Sequence, residues 1–209
     1  MASDYPFDMR ERVAFFVDGA NFYQTARNLN IDIDYRRMLT SFVGEAYLLR
    51  AHYYTAMADD QEFSSLRPLI DWLDYNGFQI TTKAMREFTD NNGQRRRVRP
   101  SLDVDLTVDA MTLAEKVNHI VLFSGDGNYR ALVEALQKKG VKVTVVSSLK
   151  TSPSMVSDEL RRTADHFLDL ADLTERLGRD PSDRPARRER PDERQDERYD
   201  DDDYDDYDD

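Results

Sequence analysis

Cysteine is absent from the 209 residues and histidine occurs only three times. The first absence excludes disulfides, thiolate zinc sites and cysteine nucleophiles. His52, His119 and His166 are too scattered for a metal-ligand spacing such as HExxH, so histidine-based catalysis has no companion groups to rest on. Both His119, just before an apolar run, and His166, near the end of the apolar sequence, read as structural. Long hydrophobic runs are missing too. Met1 to Arg12 is polar and later apolar runs are short, which predicts a soluble cytoplasmic protein with no signal peptide and no membrane partner.

A net charge of −12 argues against a nucleic-acid partner until its distribution is considered. From Arg179 to Asp209 there are seven Arg against fifteen Asp and Glu, a net of −8, which leaves −4 for everything before. Hydrophobic residues make up 40% of the chain, enough for one domain with a core. The expected organisation is a disordered lead over 1–11, one domain over 12–172, and a disordered Arg- and Asp-rich acidic tail over 173–209.

Apolar runs alternate with helical patterns. Val13-Ala-Phe-Phe-Val17 is short and continuous, as in a strand buried on both faces. Helices are predicted from about Asn21 to Leu29 and from Tyr35 to Val43, the second capped by Asp34. A strand over Tyr47 to Thr55 follows, then an amphipathic helix over 60–76 with Phe63, Leu66, Leu69, Ile70 and Leu73 on one face and Gly77 as its stop. Asp90-Asn-Asn-Gly93 predicts a hairpin whose arms are Phe78 to Phe88 and Arg95 to Arg99. Further on come a helix from Asp103 to Val117, a strand from Ile120 to Phe123 and a helix from Asn128 to Lys139 stopped by Gly140. Last come a strand from Val141 to Val146, a helix over 154–164 and a short strand over 166–170. This alternation predicts a three-layer Rossmann-like α/β sandwich with a mostly parallel central sheet.

Aspartates stand where such a sheet binds its ligands. Asp18 follows the first strand in Asp18-Gly19-Ala20-Asn21, and Asp126 follows a later one in Ser124-Gly125-Asp126-Gly127-Asn128. Ligands of parallel sheets sit beyond the carboxyl ends of the strands. Carboxylates gathered there repel one another unless a cation lies among them, which points to Mg²⁺ or Mn²⁺ and a phosphodiester substrate. At 100° per residue, Leu102, Leu106, Ala110, Leu113 and Val117 share a core stripe about 80° wide. Asp105 and Asp109 lie one turn apart on one flank of that stripe and Asp103 lies on the other. Asp103, in the first turn, is therefore the preferred ligand, and the other two are secondary acids.

Three separated segments carry a resemblance. Phe16-Val-Asp18-Gly-Ala-Asn21-Phe-Tyr, Leu102-Asp103-Val-Asp105-Leu-Thr-Val-Asp109-Ala-Met and Leu122-Phe-Ser124-Gly-Asp126-Gly-Asn128-Tyr-Arg resemble the signatures of the NYN domain, in its LabA-like branch, related to PIN-domain nucleases. The resemblance covers roughly residues 12–172. It implies a PIN-like sheet and a metal-dependent endoribonuclease centre with Asp18, Asp103 and Asp126 as catalytic and metal-binding acids. Asn21, Asn128, Ser124, Asp105 and Asp109 become polar or acidic neighbours. Two positions depart from the family pattern: Asn128 stands where a second Asp is expected, and Arg99-Pro100 replaces a Lys-Gly pair. Asn supplies a carbonyl oxygen but no charge, so a catalytically weak or inactive nucleic-acid-binding or regulatory module is the competing reading. A haloacid-dehalogenase type phosphatase needs a second Asp where Ala20 stands, and a receiver domain needs an acidic pair where Asp18 stands alone.

The expected RNA surface is basic. Arg95, Arg96, Arg97 and Arg99, with Lys83 and Arg86 on the other arm, form a cationic flap upstream of Asp103 that suits a phosphate backbone. Arg130 lies beside the last aspartate motif, and Lys150 lies in the loop after the last main strand. The tail, ending in Asp and Tyr, suits a basic protein partner or simply solvent.

Overall fold

The first strand, β1 (Arg12–Asp18), shows why a continuous apolar run suits the centre of a sheet. Its side chains alternate, so Val13, Phe15 and Val17 enter one core while Ala14 and Phe16 enter the other, and all five are buried. The computed structural model describes residue 8 and residues 10–43, 46–57, 66–89 and 95–179, with the side chains of 43, 87–89 and 95–97 outside the description. The lead 1–7 and 9 and the tail from 180 lie outside it as well.

After β1 come α1 (Gly19–Asn28), α2 (Tyr35–Val43), β2 (Tyr47–Met57), α3 (Arg67–Tyr75) and β3 (Phe78–Ala84). A two-stranded excursion, β4 (Arg86–Thr89) and β5 (Arg95–Val98), precedes α4 (Asp103–Leu113) and β6 (His119–Phe123). The chain then runs through a 3₁₀ turn (Gly127–Tyr129), α5 (Arg130–Lys138), β7 (Lys142–Ser147), α6 (Asp158–Thr163) and β8 (His166–Asp169). A second 3₁₀ turn (Leu170–Leu173) leads into α7 (Thr174–Leu177). The six-stranded sheet has the order β3-β2-β1-β6-β7-β8 and every pairing in it is parallel. Helices α1, α2, α3 and α7 pack on one face, and α4, α5 and α6 on the other.

Strand order reverses direction between β1 and β6. The chain works outward from β1 to β3, returns through α4, and works outward again from β6 to β8. That is the topological switch point, where the loops at the strands' carboxyl ends part and leave a crevice. Asp18 and Ser124 stand there side by side, one step beyond the paired Val17 and Phe123.

Several boundaries differ from the sequence expectation. Residues 78–88 do not form one hairpin arm. Phe78–Ala84 joins the parallel sheet, Met85 donates its N–H to the Met57 carbonyl at 2.7 Å, and only 86–89 pairs antiparallel with 95–98. The expected hairpin turn at 90–93 and the start of the helix over 60–76, including Phe63, lie outside the described residues. The α6 helix starts at 158 rather than 154 because Ser157 caps it by accepting the Leu160 N–H. Gly77 and Gly140 stop α3 and α5 with positive φ, as expected.

Both ends of the packed chain extend past the expected domain limits. Glu11, expected in the lead, contacts buried His119 at 3.2 Å and Lys142 at 2.7 Å. Leu173 and Leu177, expected in the tail, are buried, and Arg179 donates its N–H to the Asp32 carbonyl at 2.8 Å. Leu170, Leu173 and Leu177 are spaced as one helical face, so this short segment covers α2 before the charged composition takes over. His119 is fully buried between Glu11 and the Thr144 hydroxyl and stacks on His166, a structural role for both rings.

Candidate aspartate centre at the switch point

Asp18 ends β1 and caps α1, its Oδ1 accepting the Asn21 N–H at 3.2 Å. Its other oxygen accepts the Ser124 hydroxyl at 3.0 Å, and Ser124 Oγ in turn accepts the Asp126 N–H at 3.2 Å. The Asn21 carbonyl oxygen of the side chain accepts the Gly125 N–H at 2.9 Å. Two loops about 100 residues apart are thus stitched together by Asp18, Asn21 and Ser124. Asp126 repeats the role of Asp18 on its own loop, accepting the Asn128 N–H at 2.8 Å to cap the following turn.

Gly125 is glycine because of crowding. A Cβ there would lie 1.8 Å from the Met155 carbonyl oxygen, and the Ser157 N–H donates to the Gly125 carbonyl at 2.9 Å. The loop after β7 is therefore pressed against the Asp126 loop, which holds the carboxylate at the rim.

Asp103 enters from the start of α4. Its Oδ1 accepts the Tyr129 hydroxyl at 3.2 Å, and its N–H donates to Ser101 Oγ. Tyr129 is buried, and its hydroxyl pKa is raised far above the usual range by burial and by the charges of Asp18, Asp103 and Asp126. By sequence, Tyr129 reads as core or as a base-stacking candidate; its link to Asp103 has no signal beyond lying three residues after Asp126. Burial also pushes the Asp18 carboxyl up. The Asn21 N–H and Ser124 hydroxyl work against that shift, while the charges of Asp103 and Asp126 add to it. Asp18 thus feels the charges of both other acids across the crevice.

Asp105 and Asp109 belong elsewhere, on the flank that the helical wheel gives them. Asp105 holds the Lys83 ammonium at 2.5 Å, and Asp109 accepts the Tyr54 hydroxyl at 2.8 Å. Lys83 lies on β3, not on the hairpin, and also donates to the Ser101 carbonyl, tying the sheet edge to the segment before α4. Arg86 and Arg99 are exposed; for Arg95, Arg96 and Arg97 only the backbone of β5 is described. Arg130 pairs with Glu134 and Glu159, and Lys150 pairs with Asp172. These exposed pairs are weak and leave the cations open to exchange for phosphate. Asn128 is exposed beside Asp126.

Among the described residues, no three Asp, Glu or His side chains converge closely enough to hold one ion between them. Mg²⁺ keeps much of its water and is bound through one or two carboxylates. The donor chemistry of Asp18 and its neighbours fits that kind of ion rather than an all-protein cage.

Residues 12–171 match the NYN domain. The chain belongs to the NYN domain family. It is 34% identical over 165 residues to the low amplitude and bright protein LabA of Synechococcus elongatus, covering 78% of this chain and 85% of that protein, so it is a LabA-like NYN protein. The crystal structure of a Vibrio parahaemolyticus protein of unknown function superposes with a TM-score of 0.62 at 26% identity, covering 79% of this chain and 96% of that one. NYN domains fall in the PIN-like nuclease superfamily, and membership supports a nucleic-acid-related role. Among the described residues, no helix of this NYN protein is long and apolar enough to cross a membrane.

Proposed function

We propose that this NYN protein is a metal-dependent endoribonuclease of the cytoplasm, cutting RNA at the crevice between β1 and β6. The observation that carries the reading is Asp18. It is a largely buried carboxylate at the switch point, made harder to ionise by burial and by the charges of Asp103 and Asp126. A divalent cation relieves that repulsion, and the related PIN-like nucleases generally use one.

Asp18 and Asp126 are the residues that would hold Mg²⁺ or Mn²⁺, with Asp103 across the crevice. When bound, the ion lowers the pKa of a water and offsets charge on the phosphodiester. Ser124 and Asn21 hold Asp18 and the Asp126 loop in place, and Tyr129 orients Asp103. In the hydrolysis, the water oxygen bonds to phosphorus, one P–O ester bond breaks, and the leaving oxygen departs with a proton. The arginines of Arg95–Val98 and Arg99 hold the RNA backbone.

Asn128 favours a second reading, since it stands where the family carries another acid. On that reading the centre binds RNA without cutting it. Labelled single-stranded RNA incubated with Mg²⁺ or Mn²⁺, beside EDTA and Asp18→Asn controls, separates the two. Cleavage abolished by both controls supports the nuclease; RNA bound but uncut supports the binding module.

A further inference from the structure

A second cleft, of mixed apolar and polar lining, lies away from the aspartate centre, where α4 leaves the β2–β3 part of the sheet uncovered. It has a volume of about 280 Å³. Leu49 and Leu113 give it apolar walls, and its polar lining includes His52 and Gln79 from the sheet and Asp109 and Lys116 from the α4 side. Along α4 the rise from Asp103 to Leu113 is about 15 Å, so cleft and centre sit toward opposite ends of one helix.

His52 is the informative residue. Its side chain is 8% exposed, yet Nε2 has no hydrogen-bond partner among the described residues. Buried polar atoms are nearly always paired, so an unpaired one on a residue that lines a cleft marks a place for a ligand atom. The ring is held flat, stacked on Phe16 at 4.7 Å with planes 5° apart and nearly parallel to Tyr54. Burial lowers the imidazole pKa, which keeps the ring neutral near pH 7 and lets Nε2 serve as donor or acceptor. Asp109 gives one oxygen to the Tyr54 hydroxyl and retains the other as an acceptor.

Two cations stand at the same cleft. Arg50 and Lys116 are exposed and have no ion-pair partner among the described residues; Arg50 donates only to the carbonyl of its neighbour Leu49. Apolar walls from Leu49 and Leu113, hydrogen-bonding groups on His52, Gln79 and Asp109, and two cations without an ion-pair partner among the described residues suit three parts of one ligand: a base's faces, its edge, and a phosphate. The volume sits just below the range of pockets for drug-sized ligands, the right scale for a single base.

We propose that this cleft binds one nucleoside monophosphate unit, with the base edge on His52, Asp109 and Gln79 and the phosphate on Arg50 and Lys116. The unit is supplied either as a free mononucleotide or as one residue of an RNA strand. The site is independent of metal and of Asp18, so it stands whether or not the aspartate centre cuts RNA.

The test is calorimetric titration of the full chain in EDTA with AMP, GMP, CMP and UMP, the matching nucleosides, inorganic phosphate, and a ten-nucleotide single-stranded RNA. At least one mononucleotide is expected to bind, with affinity reduced tenfold or more by Arg50→Met together with Lys116→Met. These are surface changes that do not threaten the fold. His52→Phe keeps the stack but removes Nε2 and should also weaken the mononucleotide. Loss of RNA affinity in the same variants identifies an RNA residue as the source, and RNA affinity unchanged beside a weakened mononucleotide identifies a free nucleotide. The proposal is overturned if no mononucleotide binds and RNA affinity ignores these variants. It is also overturned if inorganic phosphate binds as tightly as any nucleotide, since the site would then read only an anion.

Discussion

Asp18 accepts the Ser124 hydroxyl at 3.0 Å although 106 residues separate them. The bond exists because β1 and β6 are parallel neighbours, in register from Val13 with His119 to Val17 with Phe123. Ser124 serves both loops, donating to Asp18 and accepting from the Asp126 N–H. Ser124→Ala removes both hydrogen bonds at once. Cleavage should fall about 10- to 100-fold, as for other residues that orient metal-binding groups, with a destabilisation of about 1–3 kcal/mol in urea denaturation. Activity within twofold of the parent would show that Ser124 does not position the acids.

Asp18→Asn should leave the fold intact, because Asn caps a helix as well as Asp does. It also removes a charge that Asp103 and Asp126 oppose, so the metal-free variant should melt no lower than the parent. If the proposed centre holds the ion, Mn²⁺ at 100 times its Kd should add about 2.7 kcal/mol in the parent, or roughly 5–10 °C in a thermal melt. The variant should show almost none of this rise. An equal rise in both proteins would move the ion elsewhere.

Gly125→Ala puts a methyl group 1.8 Å from the Met155 carbonyl oxygen, which is backbone and cannot swing aside. The expected cost is about 3 kcal/mol, at the upper end for an overpacked core. Activity should drop with it, since the Asp126 loop must move. A urea midpoint equal to the parent's would show that the loop after β7 yields freely.

Replacing Arg95, Arg96, Arg97 and Arg99 with Gln should weaken RNA binding and flatten its salt dependence. For single strands the slope of log K against log salt changes by about 0.7 for each phosphate that the protein no longer neutralises. Filter binding across a series of salt concentrations reads this directly. The same slope in parent and variant would take the hairpin out of the RNA path.

Stability should decline as pH drops below about 6.5, the ordinary histidine value. Burial is the main cause lowering the pKa of both His52 and His119. For His119 the hydrogen bond and charge of Glu11 work against the shift, while the charges of His166 and Lys142 add to it. A histidine with a lowered folded pKa binds its proton in the unfolded chain first. Its stabilisation is complete above the unfolded value and is lost as pH falls from there through the folded value. Urea midpoints in a series descending from slightly alkaline to mildly acidic pH, taken in Asp18→Asn to remove the opposing carboxyl, should descend. His52→Phe should shallow the trend. A flat or rising series would contradict both assignments.

Local features are written in the chain itself. A strand buried on both faces reads as an unbroken apolar run, so β1, β6 and β7 are legible before any fold is known. The 100° step of a helix puts Asp103 on one flank of α4 and Asp105 with Asp109 on the other. The folded protein has Tyr129 on the first flank and Lys83 with Tyr54 on the second. The acids Asp18 and Asp126 are legible because each ends a strand. Which strands lie side by side is a property of the packed sheet alone. Periodicity records which face a residue buries but not what lies across from it, so the bond between Asp18 and Ser124 has no local signature. For the same reason residues 78–88 read as one arm, although pairing with β2 claims the first part and β5 claims the rest. The cleft at His52 is invisible in sequence for a related cause. It comes from α4 covering one half of a sheet face and leaving the other half open.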